Sequence, residues 1–199
     1  MSLKILYIHG FGSTGNSQTV QGLRKILGND ATILAPQFSN DLSTVAQIEQ
    51  NIAEAKNYRR EFRPNIVIGS SFGGFIATFL NGTSRILINP CLLPSERLST
   101  LSPTMSDEDV KRLKALETSQ DIDWEIQLEM YGLFGLHDEL FSYLSLFKKL
   151  YDETNTYTMP CGHRIDAENI ENHLVPLIWK VKKFSDSITP EMFEDYCPD

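Results

Sequence analysis

The chain has 199 residues, 41% of them hydrophobic and 22% charged, which suits one well-buried domain and falls short of two. Its formal net charge of -8 speaks against a nucleic-acid partner, because phosphate binding asks for clustered Lys and Arg. The three cysteines, Cys91, Cys161 and Cys197, are unevenly spaced and form no C-x-x-C pair, so neither a zinc site nor a disulfide framework is indicated.

The apolar run over residues 5–8 closes at His9-Gly10 and reads as a buried strand. It is too short for a signal peptide or a membrane span, and nothing later approaches a membrane span, so a cytoplasmic protein without membrane association is expected. Val20, Leu23, Ile26 and Leu27 stand at helical spacing and predict a helix over 17–27, ended by Gly28-Asn29. A short strand over 32–34 stops at Pro36. Val45, Ile48, Ile52, Ala55 and Phe62 mark one face of a long helix over 43–62, ended by Pro64. Residues 66–68 form a third strand. The stretch 72–80 is apolar nearly all round, as a helix buried in mid-fold would be. Residues 85–88 form a fourth strand, ended by Asn89-Pro90.

The rhythm then breaks. Residues 91–123 carry Pro94, Pro103, several serines and the charged stretch "SDEDVKRLKALE", in which Ser106-x-x-Asp109 resembles a capping box. This stretch reads as a lid-like insertion within one domain spanning 1–199. Strand character resumes over 126–134. Leu140, Tyr143, Leu144 and Phe147 mark another helix, 154–158 the last strand, and Ile170, Leu174, Leu177, Ile178 and Val181 a closing helix bent at Pro176. An acidic tail occupies 185–199. Strand and helix alternate through most of the chain. The fold class expected is therefore α/β: a mostly parallel, doubly wound sheet with helices on both faces. Ligand sites in such sheets lie just beyond the carboxyl ends of the strands.

The residues at those ends are His9-Gly10-Phe11-Gly12, Gly69-Ser70-Ser71-Phe72-Gly73, Asn89-Pro90, Gly135-Leu136-His137-Asp138-Glu139 and Cys161-Gly162-His163. Residues 69–73 match G-x-S-x-G, the strand-turn-helix elbow that exposes a nucleophile. With 12 glycines and 17 serines, chance gives about 0.06 such patterns in a chain of this size, and the flanking strand and buried helix lower that further. Ser71 is the candidate nucleophile. Ser70 lacks the glycine frame, and the competing reading of Ser71 is a tight structural corner.

A serine hydroxyl needs a base to take its proton. His163 follows a strand, in a loop that can reach the serine. His137 abuts Asp138 and would compete for the same space. His173 falls in mid-helix, and His9 shapes the cleft at the end of the first strand. The base needs an acceptor to hold its tautomer; Asp138 is placed for this, with Glu139 as the neighbouring alternative and Asp166 more suited to capping the final helix. An oxyanion wants two N–H donors. The Phe72 N–H opens a helix, where the dipole favours negative charge, and Phe11 offers the second from the loop after the first strand. Gly10 and Gly12 let that backbone come close. A phosphate-loop reading of "HGFGSTG" lacks the G-K-[ST] that would follow it.

At this point the chain resembles the small bacterial YqiA/YcfP-type esterases of the α/β-hydrolase superfamily. The pieces that carry the likeness are "LYIHGFGST", "IVIGSSFGGFIATFL", "ILINPCLLP", "LFGLHDELFSY" and "PCGHRI", in that order over nearly the whole chain. The resemblance implies Ser71 as nucleophile, Asp138 as acid and His163 as base, in a compact hydrolase acting on short acyl esters or thioesters. Where the relatives carry small or aromatic residues after the histidine, this chain has Arg164, which sets a charge near the acyl or leaving-group pocket. Phe11, Phe72, Leu92 and Leu93 are candidate wall residues, with Gly10 alongside.

The function expected is thus a serine hydrolase cleaving carboxylic esters through an acyl-enzyme. An amidase or peptidase using the same three residues, and a non-catalytic module that binds an acyl ligand, are the alternatives. The partner expected is a small-molecule ester or thioester. The chemistry calls for no metal and no organic cofactor, and oligomeric state leaves no signal in the sequence.

Overall fold

A computed structural model of the chain describes residues 2–97, 104–119 and 129–187. The acidic tail from residue 188 on, Cys197, parts of the expected insertion (98–103 and 120–123) and the start of the expected fifth strand (126–128) lie outside the described residues.

Six strands form one sheet in the order β2-β1-β3-β4-β5-β6: β1 (Leu3–Ile8), β2 (Ala31–Leu34), β3 (Ile66–Ser70), β4 (Ser84–Ile88), β5 (Met130–Gly135) and β6 (Thr156–Met159). Every neighbouring pair is parallel, with Ile5 opposite Ile66, Ile68 opposite Ile86, Leu87 opposite Gly132 and Gly135 opposite Met159. Strand order reverses between β1 and β3. In a doubly wound sheet that reversal opens a crevice at the carboxyl edge, and the loops bearing Gly10 and Ser71 flank it.

The helices divide between the two faces as right-handed crossovers require. Alternate side chains of the strands sort accordingly. Leu6, Ile8, Val67 and Leu87 pack with α2 (Val45–Phe62), α3 (Phe72–Thr78) and α5 (Leu144–Leu150) through Ile48, Ile52, Phe75, Ile76 and Phe147. Ile5, Tyr7, Ile66, Ile68, Ile86 and Leu133 pack on the other face with α1 (Gln18–Leu27) and α6 (Val175–Ser187) through Val20, Leu23, Leu177, Ile178 and Val181. Helix starts follow local chemistry: Ser17 caps α1 by accepting from the Val20 N–H, and Thr44 caps α2 by accepting from Gln47. No helix among the described residues is long and apolar enough to cross a membrane.

Three of the departures from the sequence reading have a clear local reason. The helix expected from Leu140 begins only at Leu144. The Asp138 carboxylate takes the N–H groups of Leu140 (2.8 Å) and Phe141 (2.9 Å), which winds the chain into a loop and leaves Leu140 exposed. The last strand begins at Thr156 rather than 154, because Asp152 captures the N–H and hydroxyl of Thr154 and closes a 3-10 turn over Glu153–Asn155. The bend expected at Pro176 is a π-helical turn over Ile170–Leu174, just ahead of α6. Proline has no N–H to return to the preceding turn, and the wider turn absorbs the mismatch.

Within the insertion, Ser106 caps α4 (Asp107–Glu117) by accepting from the Asp109 N–H, as the capping-box spacing suggests. Asp109 then does a second job: its Oδ1 accepts from the N–H of Val45, the first residue of α2, at 3.2 Å. Arg112 pairs with Glu49 at 3.1 Å on the exposed side, worth little by itself. Leu113 is fully buried in the core that α2 and α3 share. Helix α4 is therefore fastened to the domain. Leu113→Ala is expected to lower unfolding free energy by about 2–5 kcal/mol, the range for a buried leucine. Denaturant melts check it, and a loss under 1 kcal/mol would mean α4 is not part of the core.

Candidate active site

The loop between β3 and α3 turns on one residue. Ser71 has φ 54° and ψ -122°, a conformation that L side chains rarely adopt and that costs roughly 1–3 kcal/mol. Three hydrogen bonds hold it there: the Ser71 N–H donates to Ile88 O (2.9 Å), and Ser71 O accepts from Gly74 N (2.9 Å) and Cys91 N (3.0 Å). The glycine frame is steric. A Cβ at Gly69 would lie 2.4 Å from Gly73 O, and one at Gly73 would lie 2.2 Å from Ile8 O. At Gly10 the near neighbour is Ser71 itself, whose Cβ would be 2.9 Å away. Strand, turn and helix approach so closely that only hydrogen fits between them.

His163 and Asp138 meet this serine from two other strand ends. His163 Nε2 lies 3.0 Å from Ser71 Oγ, and its Nδ1 lies 3.0 and 3.1 Å from the two carboxylate oxygens of Asp138. The carboxylate accepts only, so Nδ1 carries the proton and Nε2 offers its lone pair to the serine hydroxyl. The His163 and Asp138 side chains are 10% and 6% exposed, so water competes little for these bonds. Burial raises the Asp138 carboxyl, but hydrogen bonds from His163 and from the N–H groups of Phe141 and Leu140 outweigh it and leave the pKa below the ordinary value. The acid is charged at neutral pH. Phe141 sets its ring edge against the imidazole, with centroids 4.8 Å apart, and fixes the ring plane.

Glu139, the alternative acid, does something else. Its Oε2 accepts from the backbone N–H of His163 at 2.9 Å, which holds its own pKa down. Asp166 caps the turn at Ala167–Asn169 by accepting from Asn169 N, as expected. His137 is exposed, and His173 sits in the π turn.

The oxyanion donors come next. Among the described residues neither the Phe72 N–H nor the Phe11 N–H has an acceptor. What aims the second is His9. Its Nε2 accepts from Phe38 N at 3.0 Å, so Nδ1 carries the proton and donates to Gly10 O at 2.9 Å. Gly10 O also accepts from Ser13 N at 3.2 Å. In a planar trans peptide, pinning the Gly10 carbonyl turns the Phe11 N–H the opposite way. Burial pushes the His9 pKa down, against a smaller opposing effect of the Gly10 carbonyl, so this imidazole stays neutral and serves as a strut.

The remaining candidates scatter. Phe11 and Phe72 line a small cleft with His9, Gly10, Phe38 and Ile76. Leu92 packs into the core and does not line it. Leu93 is half-buried, and its carbonyl accepts from the Tyr143 hydroxyl at 3.1 Å. Arg164 is exposed and has no hydrogen bond or ion pair among the described residues. Gly10, Gly12 and Gly15 do stand at G-x-G-x-x-G spacing. However, a Cβ at Gly15 would lie 2.1 Å from Ala35 O, and α1 starts only at Gln18. The third glycine packs the loop onto the segment after β2, not a helix onto a strand.

Three residues near the site escaped the sequence reading. Asn89 is buried and reaches both the acid and the histidine loops. Tyr143 stacks on Phe141 (5.9 Å), and the Arg97 guanidinium lies 5.6–5.8 Å over both rings. "INP" at a strand end was the one available signal for Asn89; the other two carry none.

A family model described as an uncharacterised protein family, UPF0227, matches residues 4–129. The chain belongs to the UPF0227 family. A UPF0227 protein of Shewanella woodyi is 28% identical over 99 residues, 47% of this chain and 54% of that protein, so the match spans about half the length of that relative. Among solved structures, Est1E from Butyrivibrio proteoclasticus aligns at 17% identity with a TM-score of 0.62, over 92% of this chain and 86% of that one. The ydeN gene product of B. subtilis aligns at 18% identity and a TM-score of 0.61, over 94% and 100%. Est1E with ferulic acid bound aligns at 16% identity and 0.56, over 92% and 87%. At these identities the likeness is one of fold alone, an α/β-hydrolase-like parallel sheet with helices on both faces.

The strain at position 71 is measurable. Ser71→Gly is expected to be about 1 kcal/mol more stable than Ser71→Ala, since glycine releases roughly 1–3 kcal/mol of backbone strain against about 0.5–1 of added chain entropy. Denaturant midpoints of the two variants check it; equal midpoints would mean the turn is unstrained.

Proposed function

We propose that the protein is a serine hydrolase that cleaves carboxylic esters through an acyl-enzyme. The observation that carries this reading is the chain of contacts from Ser71 Oγ to His163 Nε2 (3.0 Å) and from His163 Nδ1 to Asp138 (3.0 Å). Ser71 Oγ attacks the ester carbonyl as its proton passes to Nε2. Asp138 stabilises the imidazolium and keeps its tautomer. The N–H groups of Phe72 and Phe11 take the charge that develops on the carbonyl oxygen. Collapse breaks the ester C–O bond, and Nε2–H protonates the leaving alkoxide. Water then attacks the acyl-serine as Nε2 takes its proton, and the acid leaves as Ser71 regains a hydrogen.

The nucleophile in this reading is a serine and not a neighbouring thiol. Burial pushes the Cys161 thiol up to about 11 and raises Cys91 as well, so both are protonated at neutral pH and poor nucleophiles. We take a short acyl ester or thioester as the substrate, because the cleft beside Gly10 and Phe72 is small. We place Phe141, Tyr143 and Arg97, which lie together beside His163, on the opposite wall. The resemblance of the strand-end motifs to small esterases supports this choice over amide cleavage.

Incubation with a fluorophosphonate is expected to label the protein once and to stop nitrophenyl-ester hydrolysis, with Ser71→Ala unlabelled and inactive. Labelling that survives Ser71→Ala, or an unlabelled wild type, would sink the proposal. Asp138→Asn is expected to lower kcat by about 10⁴-fold, as in other triads, and Glu139→Gln by a far smaller factor. The reverse ranking would make Glu139 the acid.

A further inference from the structure

Asn89 ends β4 and touches neither Ser71 nor any reacting atom in the mechanism above. It is nonetheless 1% exposed, with φ 43°, and every polar atom of its side chain is used. Its Nδ2 donates to His163 O at 2.9 Å and Gly162 O at 3.1 Å, and its Oδ1 accepts from Gly135 N at 2.6 Å. The amide orientation is unambiguous: two carbonyls demand the donor end, and an N–H demands the acceptor end. The backbone N–H of Asn89 donates to Leu133 O at 3.0 Å. One side chain thus joins the end of β4, the end of β5 and the histidine loop after β6.

The other end of the same peptide segment is gripped too. His163 N–H donates to Glu139 Oε2, so both backbone groups of this residue are held by side chains from two different strand ends. Space has been cleared for this. A Cβ at Gly135 would lie 2.5 Å from Gly162 O and 3.3 Å from Asn89 Nδ2, and would force the two loops apart.

We propose that Asn89, with Glu139, is a positioning clasp that holds the His163 backbone so that its ring reaches Ser71 and Asp138 at once. The proposal deepens the hydrolase reading and rests on it for its kinetic arm alone. Without the clasp, nothing among the described residues fixes the His163 carbonyl, and the imidazole drifts from the serine while the substrate cleft is untouched. The signature is therefore a fall in kcat at constant KM, not a fall in both.

The test uses Asn89→Gly, which keeps the positive φ available and removes only the side-chain bonds. With rates normalised to sites titrated by fluorophosphonate, kcat is expected to drop about 10–100-fold with KM within about two-fold, the scale of a sub-ångström to 1 Å misplacement. In proton NMR the low-field resonance of His163 Nδ1–H, assigned by its absence in His163→Ala, is expected to broaden or vanish in Asn89→Gly while the amide spectrum stays native. Wild-type kcat per site together with an unchanged Nδ1–H resonance would overturn the clasp. Should wild type prove unable to hydrolyse esters, the NMR arm still decides the clasp, and the hydrolase reading fails separately. Glu139→Ala, an exposed change that leaves the core intact, is the second variant. It is expected to lower kcat per site by about 10-fold at constant KM, since it loosens one end of the same residue; an unaltered kcat in both variants refutes the proposal even if Asn89→Gly folds poorly.

Discussion

The left-handed turn at Ser71 is the constraint on which the rest of the site depends. A strained residue persists only where its surroundings over-determine it. Three backbone hydrogen bonds meet at this residue, and at about 1 kcal/mol net each they offset a strain of roughly 1–3 kcal/mol. That balance leaves no room for further steric cost. Gly69 and Gly73 follow, because a side chain at either would strike backbone at 2.4 or 2.2 Å and break the approach of β1, β3 and α3 that makes the bonds possible. Gly10 follows for the same reason from the other side. The glycines are the condition for the turn, and the turn is what lifts the serine hydroxyl out of the sheet.

The sheet then sets a second problem, one of reach. The serine follows β3 and the histidine follows β6, three places away in strand order. At ~4.8 Å per strand that is about 14 Å, more than an imidazole can span. The histidine loop must fold back over the ends of β4 and β5. The end of β4 is where that return is anchored. Ile88 and Cys91 hold the elbow through Ser71, while Asn89 between them holds the carbonyls of Gly162 and His163. Nucleophile and base are referenced to the same four residues of backbone, so a shift of β4 moves both together.

Much of this was legible along the chain. Strand-end positions selected Ser71, His163 and Asp138 from 17 serines, 4 histidines and 26 acids, and the structure brings those three together. The alternating pattern predicted the parallel sheet. What stayed hidden depends on bonds between distant side chains and backbone. Asn89 binds carbonyls 73 and 74 residues away, and no periodicity encodes that. Leu140 looked like a helix position because its spacing to Leu144 and Phe147 is right. The Asp138 carboxylate overrode spacing by taking two N–H groups that a helix would have left to its first turn. Leu92 looked like a cleft wall and is core, since apolar character alone does not say which surface a residue meets.

Two pairs of like residues at the strand ends show how geometry divides labour where composition cannot. Asp138 and Glu139 are adjacent acids. The shorter one is immobilised by the N–H groups of Leu140 and Phe141, so its remaining lone pairs face the imidazole, while the longer one reaches round to the backbone of the same histidine. His9 and His163 both end up beside the elbow with Nδ1 protonated. The Nε2 of His9 is spent on the Phe38 N–H, an interaction that no reaction can release, and burial keeps that ring neutral. The Nε2 of His163 meets a hydroxyl, whose proton it can take. What separates a strut from a base at this edge is therefore the partner of one nitrogen: an amide that will never give up its hydrogen, or a serine that can.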